Sequence, residues 1–305
     1  MNVVSGKIIC IRMFLCSLIG WSFLNGDNVS PAIWWTTHKE YAVSSEPIDV
    51  VMVSHKKDLA TLEKAVAGIR AYGKNIRKVF VVSETKLTDL AEWFDEKNYP
   101  FTKRDLALEI FDRDRKKAEA YLASENCRIG WIYQQLLKLY APFVIPRISS
   151  NVLVLDADTI FLNPVEFIDA QGHALLTPGI GYHRPYFDHG KRLLLRFVRA
   201  RPDSGIAHHM LVQRPILEDM FLAIRSIHHS EPWQAFCKCI NHLELQRPIS
   251  STMSEYELYF NFACTRTRQV KIRPLKWKDM KLDEQEIEKC QQAGFHYVAC
   301  HSYMQ

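Results

Sequence analysis

The part of this 305-residue sequence best suited to chemistry is Asp156-Ala157-Asp158. Two carboxylates separated by one residue can hold a divalent cation, one ligating directly and the other directly or through water, with positions left for the phosphate oxygens of a substrate. Such a site suits a nucleotide diphosphate. The competing reading is that both aspartates end a strand and cap the following turn, as aspartate often does. Against it, the apolar run Val152-Leu153-Val154-Leu155 leads straight into the pair, and Thr159-Ile160-Phe161-Leu162 resumes directly after it. Charges so placed are costly unless a cation or strong donors compensate them, and the metal reading is preferred.

The elements around the pair read as an α/β chain. Ile48 to Val53 is a short β-rich apolar run that ends in Ser54-His55-Lys56-Lys57-Asp58, and Leu59, Leu62, Val66 and Ile69 follow at helical spacing. Lys78 to Ser83 is a second apolar run, so the chain opens with a β-α-β unit and a parallel strand pair. Thr88 to Ala123 is expected to be helical and highly charged, a solvated face. A further helix runs from Trp131, itself expected in the core, to Tyr140 and ends before Pro142; Asn151 to Asp158 is then the clearest buried strand. In open α/β sheets ligands collect at the carboxyl ends of strands, and both the Ser54 to Asp58 loop and the aspartate pair occupy such ends. Downstream come turns, helices near 214–229 and 254–263, a strand-like Val270 to Ile272, and a short C-terminal tail. Pro31 to Pro47, with Trp34, Trp35 and Tyr41, reads as an irregular lead-in whose aromatics cover a core edge.

Composition narrows the class. With 48% hydrophobic and 24% charged residues the chain has material for one sizeable core, and a net charge of +5 is too mild for a dedicated nucleic-acid binder. Eight scattered cysteines do not form a disulfide framework, and reduced thiols are expected; Cys237 and Cys239 lack the spacing of a structural zinc site. Lys7 and Arg12 precede an apolar run from Met13 to Leu24, shorter than the roughly 20 residues of a spanning helix. Residues 1–30 support two readings equally, a signal or membrane-associating segment and a start assigned upstream of the working protein. Residues 31–305 are expected to form a single domain, cytoplasmic, with membrane association as an option. Arg192, Arg196 and Arg199 stand at i, i+4 and i+7, one helical face that could lie on anionic lipid or meet a charged acceptor, although a solvated face is the commoner outcome.

The block Trp131-Ile-Tyr-Gln-Gln-Leu-Leu-Lys-Leu-Tyr140, followed by Asn151-Val-Leu-Val-Leu-Asp-Ala-Asp-Thr-Ile-Phe-Leu-Asn-Pro164, resembles the helix and D-x-D strand of GT-A glycosyltransferases. It is most similar to uncharacterised bacterial glycosyltransferase-like proteins, and more distantly to the retaining glycogenin-type group. The likeness implies a GT-A-like, Rossmann-like fold with a mixed, mostly parallel sheet flanked by helices. It implies transfer of a sugar from a nucleotide-diphosphate donor to a glycan, lipid or protein acceptor. By that likeness Asp156 and Asp158 bind Mn or Mg, Ser54, His55 and Lys56 lie against the nucleotide, and Lys138 and Gln134 reach the substrate, with a solvated surface role as the alternative for the last two. Pro202 to His209 is implied to be a sugar- or acceptor-facing loop, offering Ser204, Gly205 and His208. Glu255, then Glu257, is the candidate base for an acceptor hydroxyl. Ser254 is the expected helix cap, with Glu257 at the capping-box position. His301, ahead of His296, is the candidate late metal ligand.

Two other functions compete. Asp156-Ala-Asp158-Thr159 superficially matches the opening motif of haloacid-dehalogenase phosphohydrolases, with Asp156 as nucleophile. That motif normally follows the first strand, whereas a complete β-α-β unit precedes it here. A noncatalytic binding protein on the same fold is the third reading, since folds do not fix function.

Overall fold

The computed structural model describes residues 38–241, 245 and 251–301. The segment 1–30, the aromatics Trp34 and Trp35, and Ser302 and Tyr303 lie outside them. The first strand, β1 (Ile48–Val53), is buried at all six positions, as a strand covered on both faces must be. Its one charge, Asp49, is neutralised by Arg77, whose Nε donates at 2.9 Å. A short 3-10 turn leads into α1 (Leu59–Tyr72), and β2 (Ile76–Ser83) returns parallel to β1, completing the expected β-α-β unit.

The charged stretch after β2 departs from expectation. Glu92–Asp95 forms an edge strand, β3, parallel to β2, and only α2 (Lys103–Ile110) and α3 (Arg115–Leu122) are α-helical. Pairing along β2 places this short strand, two of whose residues are exposed and two half-buried. Next comes α4 (Ile129–Val144), which runs through Pro142 rather than stopping before it. Tyr140 and Phe143 pack on Phe221 with ring centres 5.0 and 5.2 Å away, and that packing holds the last turn.

After α4 the chain forms β4 (Asn151–Leu155), β5 (Thr159–Phe161), β6 (Ala174–Leu176), α5 (Arg184–Leu193), β7 (His209–Gln213), α6 (Arg214–His228) and α7 (Pro232–Lys238). It closes with α8 (Glu255–Arg266), β8 (Val270–Ile272), β9 (Trp277–Met280), α9 (Glu284–Gln292) and β10 (Tyr297–Cys300). The main sheet has the order β3-β2-β1-β4-β7, parallel throughout except for antiparallel β7. It is a mixed, mostly parallel sheet flanked by helices. Strand order reverses at β1 and β4, a switch point of the kind that leaves a crevice at the strand ends.

A smaller sheet, β5-β10-β9, stands beyond β4, with β10 antiparallel to β5 and parallel to β9. Ile160, Leu162, Met280, Cys290, Val298 and Cys300 form its own apolar cluster. The expected short C-terminal tail is thus, up to Cys300, a fully buried central strand. The lead-in 38–47 lacks regular structure, and Tyr41 is buried, its hydroxyl donating to Asp219 at 2.7 Å. The six described cysteines are free. No helix among the described residues is long and apolar enough to cross a membrane.

Candidate functional site

Each element ends where it can deliver one side chain. From β1 the chain turns at His55, whose Nδ1 accepts from Lys57 N at 3.4 Å while Asp58 accepts from His55 N at 3.0 Å, so that Lys57 and Asp58 reach the crevice. Asp156 follows β4, and its N–H donates to His208 O at 3.0 Å. Leu155 pairs with His209 across the β4–β7 ladder, which brings His208 beside Asp156. Asp158 precedes β5, and its carbonyl accepts from Cys300 N at 2.8 Å; His301, the next residue, therefore meets its carboxylate at 2.9 Å. Asp279 pairs with Ala299 along β9 and β10, and its Oδ1 lies 3.0 Å from His301 Nε2 and 3.2 Å from His208 Nε2.

Helices α4 and α8 supply the charge on the other side. Lys138 is only 5% exposed, and its Nζ donates to Asp156 Oδ1 at 2.5 Å and Glu255 Oε1 at 2.7 Å. Tyr256 Oη donates to the same Asp156 oxygen at 2.9 Å. Ser254 caps α8 by accepting from Glu257 N at 3.2 Å, which leaves the Glu255 carboxylate free of capping. Its N–H instead donates to Gln135 Oε1 at 2.9 Å.

This network sets the protonation states. Burial alone would lower the Lys138 ammonium, but the two carboxylates hold it above its ordinary value. Burial would raise Asp156; Lys138 and His208 hold it well below the carboxylate range. His208 is pulled down by burial and pushed up to about 9 by Asp156 and Asp279. His301 is likewise raised, Asp158 outweighing burial, and the bond from His208 lowers Asp279. Asp58 is raised by burial, with the nearby Asp158 charge adding to it.

Around these groups lies a cavity of about 540 Å³, lined by the carboxylates Asp58, Asp156, Asp158, Glu255 and Asp279 against Lys57, Lys138 and the two imidazoles. A second cavity of about 450 Å³ shares Lys57, Asp58, Trp131 and Gln134 with it and extends along Ser54 and His55. The donor set, two imidazoles amid oxygen ligands, fits Mn better than Mg, which prefers oxygen alone. Asp158 Oδ1 is buried with no hydrogen-bond partner, as expected of an oxygen that needs a cation.

The structure brings together Asp156, Asp158, His208, Lys138, Gln134, Glu255 and His301 on one cavity. Ser54 and His55 line the neighbouring one, while Lys56 is exposed and borders only a smaller recess. Glu257 is not on the cavity: its carboxylate accepts from Ser204 Oγ and, at 2.9 Å, from Asn261 Nδ2. Ser204 is thereby turned inward, and Gly205 packs so closely on α8 that an added Cβ would stand 2.5 Å from Phe260 Cβ and 2.8 Å from Tyr256 O. These three hold the loop to the helix and do not face substrate space. Trp131 lines the cavity and stacks on Tyr186 at 6.4 Å instead of entering the core. The arginine face does not form, because α5 ends at Leu193 and Arg196 takes a φ of 63°, which no helix accommodates. Asp279 and Tyr256 also line the cavity, and no local sequence pattern signals them; Lys57 and Asp58 line it from the Ser54 to Asp58 loop, whose place at a strand end the sequence indicates.

No curated protein matches the chain. Among solved structures it is similar to mouse xyloside xylosyltransferase 1 in its apo form, with 11% identity, a TM-score of 0.38, and coverage of 85% of this chain and 99% of that one. It is also similar to the mannosyltransferase Ktr4p from S. cerevisiae, at 8% identity and a TM-score of 0.27 over 46% of each chain. The model of DUF6492, a family of unknown function, matches residues 26–289, and the chain belongs to that family.

Proposed function

We propose that the protein is a cation-dependent glycosyltransferase that takes a sugar from a nucleotide-diphosphate donor. The observation that carries this reading is the carboxylate pair Asp156 and Asp158 at the sheet's switch point, facing a cavity that continues along the loop after β1. Asp156, Asp158, Asp279, His208 and His301 would hold Mn or Mg, which when bound supplies positive charge against the diphosphate leaving group. The second cavity is of a size for the nucleoside, between Ser54, His55 and Trp131. Lys138 keeps Asp156 and Glu255 in place and adds positive potential at the cavity wall, where fixed charge in a partly dry site acts strongly. Glu255, free of capping and lining the cavity, would take a proton from an acceptor hydroxyl, and transfer by that route would invert the sugar.

The test is a thermal-shift panel of nucleoside-diphosphate sugars with and without Mn, followed by measurement of released nucleoside diphosphate. Binding that needs Mn, and turnover that falls at least about 100-fold in Asp158→Ala, are the expected results. Turnover unchanged in Asp158→Ala refutes the assignment, and phosphate release in place of nucleoside diphosphate points to a phosphohydrolase.

A further inference from the structure

Apolar exposure gathers in one part of the described surface. Eight large apolar side chains are exposed among the described residues, and four of them, Ile180, Tyr182, Leu195 and Val198, belong to a single stretch of chain. The same stretch concentrates positive charge. From Ile180 to Asp203 six lysines and arginines stand against Asp188 and Asp203, a net +4 beside +5 for the whole chain, and all six cationic residues are exposed.

A turn builds this patch, in place of the helical face that the arginine spacing suggests. After α5 ends at Leu193, Leu194 and Phe197 turn inward, at 0% and 3% exposure, and leave Leu195, Arg196 and Val198 outside. Arg199 ties the turn to the segment 180–182: its guanidinium donates to Gly181 O at 3.1 Å and lies 5.0 Å from the centre of the Tyr182 ring. A bridge between Gly179 and Ser204 continues that contact. Ile180 is 95% exposed and also borders the cavity, so it stands on the cavity rim. Arg192 and Arg199 are held by the carbonyls of Cys239 and Gly181 and not by carboxylates among the described residues, which leaves their charge available to an anionic partner.

Single exposed apolar residues are ordinary, but four set among uncompensated cations suit one kind of partner. Apolar tips can insert between lipid headgroups while the surrounding Lys and Arg meet anionic phosphates. An acidic protein would need a preformed socket for a side chain as prominent as Ile180, whereas a fluid headgroup layer needs none. We propose that residues 180–199 seat the protein on an anionic lipid surface, with the cavity rim at Ile180 turned toward it. The proposal goes beyond the function proposed above and does not depend on it. An acceptor anchored in such a surface would reach the cavity without leaving the lipid.

The test is sedimentation of the full chain with vesicles of phosphatidylcholine containing about 30% phosphatidylglycerol, and with vesicles of phosphatidylcholine alone. Binding to the anionic vesicles is expected to be at least about tenfold tighter, and to weaken as salt rises from about 0.05 to about 0.5 M. Leu195→Ser combined with Val198→Ser, two exposed positions outside the cavity lining, lowers binding by about tenfold. Amide hydrogen exchange in the unmodified chain slows across 180–199 when anionic vesicles are added, and not across the charged helix α3 (Arg115–Leu122). Absence of binding, equal binding to both vesicles, or binding undiminished in the double variant overturns the proposal; the last result would move the contact to another segment, the apolar run Met13 to Leu24 included. Exchange that is unchanged over 180–199 overturns it as well, and that measurement stands even where the double variant fails to fold.

Discussion

Replacing Lys138 by Met removes the ammonium that Asp156 and Glu255 share while keeping most of the stem that fills α4's inner face. Both carboxylates then confront each other across the space Nζ occupied, 2.5 Å from one and 2.7 Å from the other, with Glu255 only 4% exposed. Breaking a buried ion pair by deleting one partner costs about 3–5 kcal/mol. Tyr256 still donates to Asp156, which keeps the loss toward the lower end. At roughly 2–4 °C per kcal/mol for a large domain, the midpoint of thermal unfolding falls by about 6–15 °C. The pH dependence has a definite sign. In the native chain Asp156 is depressed, so its contribution is present above the unfolded carboxylate value and fades as pH falls through and below it. In the variant the repelling carboxylates take up a proton more readily, and that relieves the penalty as pH falls. The gap between the two chains is therefore widest near neutrality and narrows toward about pH 4. Urea unfolding followed by circular dichroism, in chelator at pH 7 and again at pH 4.5, measures it. A loss below about 1 kcal/mol at pH 7, or one that does not change with pH, refutes the idea that Lys138 is the charge holding this wall together.

Gly205→Ala places a methyl 2.5 Å from Phe260 Cβ and 2.8 Å from Tyr256 O, so α8 must shift; a loss of about 1–3 kcal/mol in urea unfolding is expected, with weakened donor binding because Glu255 and Tyr256 move with the helix. His189 and His209 are buried neutral, held by burial at about 4 and about 3. Between these values and the ordinary 6.5 the unfolded chain binds more protons, so stability rises with pH across that window and is lost progressively on acidification below about 6.5, by an amount on the order of 8 kcal/mol if both shifts are realised in full. Replacing both by Gln flattens this part of a stability-against-pH curve; an unchanged curve contradicts the buried-neutral assignment.

The strands at the centre of the sheet were legible because burial on both faces leaves a continuous apolar run, as in Ile48 to Val53 and Val152 to Leu155. The aspartate pair could be picked out for a related reason, since polar groups stand out at the ends of such runs, whereas His208 and His301 entered only through the likeness to GT-A glycosyltransferases. Glu92–Asp95 could not, because an exposed edge strand carries no apolar pattern and is ordered by its neighbour β2. The separation of Glu255 from Glu257 was only half visible: helix capping can be read locally, but Ser204 and Asn261 withdraw Glu257 through contacts that local sequence does not predict. Asp279 was invisible for the strongest reason. Trp277–Met280 is a short strand with one buried residue, and the acid acquires meaning only when β10 is laid alongside it.

The dependence on β10 reaches into biosynthesis. Asp158 and His301 are 143 residues apart, whereas Asp156 and Lys138 are 18 apart. At ordinary elongation rates roughly 7–30 s separate the synthesis of the first pair's two members. Through that interval the nascent chain carries two carboxylates at the tip of an apolar strand, and Lys138 has already been made when they emerge. The lysine can then act as the site's first occupant, holding Asp156 until the last strand arrives and the cluster of carboxylates and imidazoles closes.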